Sequence, residues 1–272
     1  MAIIKTDDGA ELYYEFHENN KANDTLIFIH GWCSNLKDWR YQFDEFAKDF
    51  RILLIDRRGH GRSKSTDLPH TTHQHANDFS IISKELGIND AITICHAGGT
   101  PSALRFVADY PNYSKALIIV DSSPTAAADL KNPVRQPDMA YKTFKDTILE
   151  DSNNANFISL YTSFFEENAD QSMVNEVVQN AVKTPLKVKL AEIDSMAENQ
   201  LETSNSIDKP VLVISSPWME RISPSFVDVN HLKLCFKNVQ LARPIGCGHF
   251  PQMEAPEQVN CFIRHFIVKF LR

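Results

Sequence analysis

The chain of 272 residues lacks several things, and each absence narrows what it can be. No apolar run approaches the ~20 residues that span a bilayer as a helix, so no membrane-embedded role is expected. No basic run offsets the net charge of −7, which argues against nucleic acid as the main partner. The opening residues Met-Ala-Ile-Ile-Lys-Thr-Asp-Asp lack the basic and apolar regions of a signal peptide. The five cysteines, at 33, 95, 235, 247 and 261, are odd in number and show no C-x-x-C spacing. That pattern excludes a disulfide framework or a paired-cysteine zinc site and points to free thiols in a reducing cytoplasm. Internal repeats and low-complexity segments are also missing.

What remains is an ordinary globular composition, 43% apolar and 23% charged, long enough for a substantial core. Ile3–Lys5 and Glu11–Phe16, separated by Asp7-Asp8-Gly9, predict an antiparallel hairpin at a sheet edge. Thr25–Ile29 is a continuous apolar run of the kind buried on both faces, and Arg51–Asp56, Ala91–Ile94, Lys115–Asp121 and Pro210–Ser215 read as further strands. Helical spacing fills the gaps between them, for example Trp39, Phe43, Phe46 and Ala47, or Ile81, Ile82 and Leu86 running to Gly87. Thr71 or Thr72 stands ready to cap that second helix. The last helix is marked by Val259, Phe262, Phe266 and Ile267. Alternating strands and helices imply a largely parallel α/β sheet with its ligands at the carboxyl ends of the strands. Residues 122–208 break the alternation. Their apolar and aromatic positions, among them Met139, Tyr141, Phe144, Phe157, Tyr161, Phe164, Phe165 and Met173, predict an inserted helical cap over those ends. The expected division is a core of 1–121 and 209–272 with a cap of 122–208.

One stretch organises the rest. Ile94-Cys95-His96-Ala97-Gly98-Gly99-Thr100 joins an apolar strand to a helix through small residues, the setting of a small-x-nucleophile-x-Gly elbow. Cys95 and Gly99 take the flanking positions and Ala97 the place of the nucleophile. Alanine has nothing to attack with, so the fold signal is strongest where the expected chemistry is missing.

Several motifs together resemble the α/β-hydrolase superfamily over nearly the whole chain outside the cap. His30-Gly31-Trp32 resembles its oxyanion-hole turn, Asp56–Ser63 a common second turn, and Gly248-His249-Phe250-Pro251 the loop of the catalytic histidine. Three details narrow the resemblance to the cofactor-free 2,4-dioxygenases of 3-hydroxy-4(1H)-quinolones and quinaldines. They are Gly31-Trp32-Cys33 followed by Asp56-x-Arg58-Gly59-His60, Asp121 at the end of its strand, and Ser216-Pro217-Trp218-Met219-Glu220 with no aspartate where ordinary hydrolases usually carry theirs. Ser34 and Gly98 stand where relatives can carry histidines, so no substrate contact is carried over to them.

The resemblance implies that His249 removes a substrate proton and that Asp121 orients it. A near-neutral imidazole suits proton abstraction at physiological pH, and Asp121 would steady the imidazolium as the acid of a triad does. It also implies that the backbone of Trp32 and Gly98, beside Ala97, faces a substrate oxyanion, with no cofactor and no metal. The expected partners are a small aromatic heterocycle and O2. His96 stands among the same substrate-side positions and is read mainly as a structural histidine packed behind the turn. Cys95 falls two residues early and is read as a buried small residue. Glu220 is the competing acid, read as a surface carboxylate. His70, His73 and His75 are read as a solvated helix start. Two other functions fit the same motifs: a serine hydrolase whose nucleophile has been replaced by Ala97, and a non-catalytic small-molecule receptor.

Overall fold

The computed structural model describes residues 1–64, 66, 70–122, 124, 139–151, 153–222 and 229–271, with the side chains of 139–141, 143 and 222 set aside. Met139 and Tyr141, expected in the cap's apolar set, are among those. Eight strands form one sheet: β1 Ala2–Lys5, β2 Glu11–His17, β3 Thr25–Ile29, β4 Arg51–Ile55, β5 Ala91–His96, β6 Ser114–Val120, β7 Val211–Ile214 and β8 Val239–Ala242. Their order is β1-β2-β4-β3-β5-β6-β7-β8. β2 pairs antiparallel with β1 and β4, and every other pairing is parallel.

The helices of the first half are α1 Arg40–Phe46, α2 Thr72–Glu85 and α3 Thr100–Asp109. Among the described residues, five more lie between β6 and β7: α4 Met139–Leu149, α5 Ala155–Thr162, α6 Gln171–Val182, α7 Leu186–Ala197 and α8 Leu201–Ser206. After β7 come α9 Pro217–Ile222, α10 Val229–Cys235, α11 Pro251–Glu254 and α12 Pro256–Phe270. None of the helices among the described residues is long and apolar enough to cross a membrane.

Pleating sends alternate residues to opposite faces of the sheet. Ile27, Ile29, Leu117 and Ile119 pack with Phe79, Ala103 and Phe106 of α2 and α3. Leu26, Phe28, Ile118 and Val120 pack on the other face with Phe46 of α1 and Val259, Ile263, Phe266 and Ile267 of α12. Each large side chain buried in this way contributes about 1.5–3 kcal/mol. The sequence pattern placed Phe262 on that face, but Phe262 is only half-buried and Ile263 takes its place in the core. Thr71 forms a full capping box with Gln74 at the start of α2, and Gly87 ends that helix at φ +60°.

Strand register aligns the site. Ile29 pairs with Ile55 and Cys95, His96 with Val120, and Val120 with Ile214. The residues just past these ends, His30, Asp56, Ala97, Asp121 and Ser215, therefore line one edge of the sheet. A third apolar cluster covers that edge, joining Trp32, Phe250 and Met253 to Phe157, Tyr161, Val177 and Ile193 of α5, α6 and α7.

Candidate active site

Backbone strain concentrates where the strands end. Among the described residues, five that are not glycine have positive φ, and three of them, Cys33 (+52°), Ala97 (+44°) and Asp121 (+53°), sit beside the aligned edge. A non-glycine residue held there costs of order 1–3 kcal/mol and persists only where the surroundings over-determine it. Ala97 keeps the left-handed turn of an elbow without a nucleophile. Gly99 allows the turn to close, because a Cβ there would run into the His30 carbonyl oxygen.

His249 and Asp121 meet as expected. His249 Nδ1 lies 2.7 Å from Asp121 Oδ2. Asp121 is fully buried and also accepts bonds from the Ser216 backbone N–H (2.6 Å) and from the Ser216 hydroxyl (2.8 Å). Ser216 thus stands in the turn after β7, where the motif lacked an acid, and clamps the acid that β6 supplies. With Nδ1 committed to Asp121, Nε2 is the nitrogen left for chemistry. Trp218 lies over the imidazole with ring centroids 4.3 Å apart and Phe164 meets it edge-on at 5.2 Å. The loop itself is docked through its main chain: His249 N–H donates to the Phe164 carbonyl at 2.6 Å, and a Cβ on Gly248 would collide with Phe164 and Phe165.

These groups border a cavity of about 220 Å³. Its floor is His96, Ala97, Gly98, His249 and Phe250, and its walls are Trp32, Phe144, Tyr161, Phe164, Met196 and Trp218. Among the described residues of this lining Tyr161 alone carries a hydroxyl, and it donates to the Trp32 carbonyl at 2.6 Å. Trp32 and Gly98 approach closely, since a Cβ on Gly98 would lie 3.0 Å from the Trp32 nitrogen. Trp32 also donates its indole N–H to the Lys189 carbonyl at 3.0 Å.

The other candidates separate clearly. His96 is buried, its Nε2 lies 2.7 Å from the His249 carbonyl, and burial lowers its pKa to about 3, so it is a neutral donor behind the turn that also forms part of the cavity floor. Cys95 is buried with its thiol pushed up to about 12, an inert packing residue. All five cysteines are free. Glu220 is exposed and pairs with Arg243 at 3.5 Å.

The expected solvated helix start needs correction. His73 is exposed, but His70 and His75 are buried under α7. His75 Nε2 lies 2.6 Å from Glu192 Oε1, and Arg57 donates to Glu192 Oε2 at 2.5 Å, with all three side chains inaccessible to solvent. Burial opposes the charge on Glu192, yet Arg57 and then His75 overrule it and hold the carboxyl well below its usual range. His70, His75 and Glu192 each offer one potential ligand atom within 4.8 Å of the others. A divalent cation there would have to share its single carboxylate with a buried guanidinium, so the charge count favours the ion pair. Burial also lowers His60 to about 3 and His70 to about 4, which keeps the surrounding imidazoles neutral.

Local patterning could not reveal four residues of this arrangement: Ser216, Trp218, Glu192 and Met196. Only Ser216 and Trp218 left a trace, as the turn lacking its usual aspartate.

Residues 24–256 match the family described as alpha/beta hydrolase fold, and the chain belongs to that family. It is 29% identical over 153 residues to a bifunctional esterase/perhydrolase of Acinetobacter calcoaceticus, 55% of each chain. It is 27% identical over 226 residues to a non-heme chloroperoxidase of Burkholderia pyrrocinia, 79% of this chain and 81% of the other. The match thus spans about half the length of the first of these relatives. In structure it is similar to a bromoperoxidase from Bacillus anthracis, with a TM-score of 0.86 and 17% identity over 98% of this chain and 99% of that one.

Proposed function

We propose that the protein is a cofactor-independent 2,4-dioxygenase of a 3-hydroxy-4(1H)-quinolone. One observation carries this reading: a buried Asp121–His249 pair borders an apolar cavity in which alanine holds the nucleophile's place. Such a site can take a proton but has no side chain on the elbow with which to form an acyl-enzyme.

His249 removes the 3-hydroxyl proton through Nε2. The resulting electron-rich anion is oxidised by O2, which forms new bonds to carbons 2 and 4. The ring opens at both of these carbons, carbon 3 leaves with its oxygen as carbon monoxide, and both atoms of O2 remain in an N-acylated 2-aminobenzoate. Low polarity around the anion favours electron donation, and backbone donors at Trp32 and Gly98 are the groups to hold the 4-oxo oxygen. A cavity of about 220 Å³ is small beside common ligand sites of about 300–1,000 Å³ and suits a bicyclic ring with a short substituent. Purified protein under air should consume 3-hydroxy-2-methyl-4(1H)-quinolone and release one carbon monoxide per ring. An unchanged substrate across 2-methyl to 2-heptyl homologues would sink the proposal.

A second reading has its own support in the left-handed turn at Ala97, the geometry that presents a nucleophile in hydrolases of this fold. Ala97→Ser then yields an esterase working through His249 and Asp121. A panel of short esters left intact by that variant would remove this reading.

A further inference from the structure

α7 is fastened to the core along one face. Lys189 accepts the Trp32 indole N–H, Glu192 is clamped by Arg57 and His75, and the Ser195 hydroxyl donates to the His70 carbonyl at 3.0 Å. One turn beyond Glu192 on the same face comes Met196, which enters the cavity wall. A Cβ on Gly98 would lie 2.8 Å from Met196 Sδ, so the sulfur occupies space that only glycine leaves open beside the elbow. Methionine is unbranched and fills irregular gaps. Its position is set by a helix whose register the buried ion pair fixes.

We infer that Met196 limits the size of substituent the cavity accepts and that Glu192 is the positioning residue that holds it there. Arg57 of the clamp reaches the Gly31 carbonyl at 3.4 Å, and Arg57, His75 and Glu192 are not among the described residues that line the cavity. Cutting the clamp would free α7 to slide or tilt and withdraw the thioether. The buried His–Arg–Glu cluster would then serve the site as a rigid mount.

This inference rests on the reading that the cavity binds quinolones, and it can be tested without turnover. The ligands are 2-methyl-4(1H)-quinolone and 2-heptyl-4(1H)-quinolone, which lack the reactive 3-hydroxyl, followed by quenching of tryptophan fluorescence. Wild type should favour the methyl compound. Met196→Ala should tighten the heptyl compound by about tenfold, the worth of about two newly buried methylene groups. Met196→Leu, which keeps the volume, should leave the preference unchanged. Glu192→Gln should shift the preference toward heptyl in the wild-type background and add nothing in the Met196→Ala background, because coupled residues are non-additive. Glu192→Asp, which keeps the charge but shortens the reach to Arg57 and His75, replaces Glu192→Gln if that variant does not fold.

An unaltered preference in Met196→Ala overturns the role of Met196. Equal shifts from Glu192→Gln in both backgrounds overturn the positioning role. Failure of every protein to bind either quinolone overturns the ligand class, and this inference with it, whereas binding without ring cleavage of the 3-hydroxy compound would count against the proposed reaction alone.

Discussion

Two histidine–carboxylate pairs, His249 with Asp121 and His75 with Glu192, are built for opposite ends. In one, His249 shares Asp121 with Ser216, keeps a nitrogen free and borders a cavity. In the other, His75 shares Glu192 with Arg57 and lies wholly out of solvent. The bond lengths are nearly the same, 2.7 and 2.6 Å. What differs is the third partner and the access. A hydroxyl and an amide orient a carboxylate without cancelling its charge, whereas a guanidinium does cancel it. The first pair leaves an imidazole nitrogen uncommitted beside a cavity; the second is spent on fastening α7 to the core.

The comparison breaks most sharply at His249. Under the proposed reaction, His249→Ala should cut ring cleavage by about 10³-fold, within the range for loss of a general base, while thermal unfolding stays close to wild type. Carbon monoxide release and a melting curve read the two effects. Glu192→Ala should do the reverse, destabilising the fold by about 3–5 kcal/mol because it strands Arg57 in the core. Denaturant titration measures that loss.

Acid should act on the second pair in a defined direction. Glu192 is held below its ordinary carboxyl value of 4.5, so its contribution is complete above that pH and is lost as pH falls through the lower folded-state value. Wild type should therefore lose stability below about pH 4.5 more steeply than Glu192→Gln, as unfolding midpoints at successive pH values would show. Ser216→Ala should lower turnover by about tenfold and the stability of the fold by about 1.5–3 kcal/mol, the worth of one hydrogen bond to a buried charged group, read by carbon monoxide release and denaturant titration. The smallest effect is expected at the elbow. Ala97→Gly relieves a positive φ and should stabilise the fold by at most about 1 kcal/mol while leaving turnover intact, and loss of turnover in it would show that the methyl group is needed.

Much of this was legible in the chain because it is local. Asp7-Asp8-Gly9 between two short strands, Thr71 ahead of Gln74, and the run Ile94–Thr100 each carry their geometry within a few residues. His249 and Asp121 were legible for a related reason, since both lie in short segments that follow recognisable strands. The Glu192 clamp was not, because it joins residues 117 and 135 positions apart and depends on how α7 lands on the core. For the same reason His70 and His75 read as solvated: polarity near a helix start says nothing about a later helix that covers it. Met196 looks in sequence like any apolar position of α7. Only its distance from Gly98 gives it a place in the cavity wall.

The docking of Gly248 bears on how such proteins can be recombined. His249 follows the last strand of the sheet, but its main chain is seated against the carbonyl of Phe164 in the turn after α5. A chimera that took the helices between β6 and β7 from a relative would exchange part of the cavity wall and, in the same cut, remove a support of the histidine. Grafts that retain Phe164 and Phe165 as a fixed seat are the ones in which cavity and histidine can be varied separately.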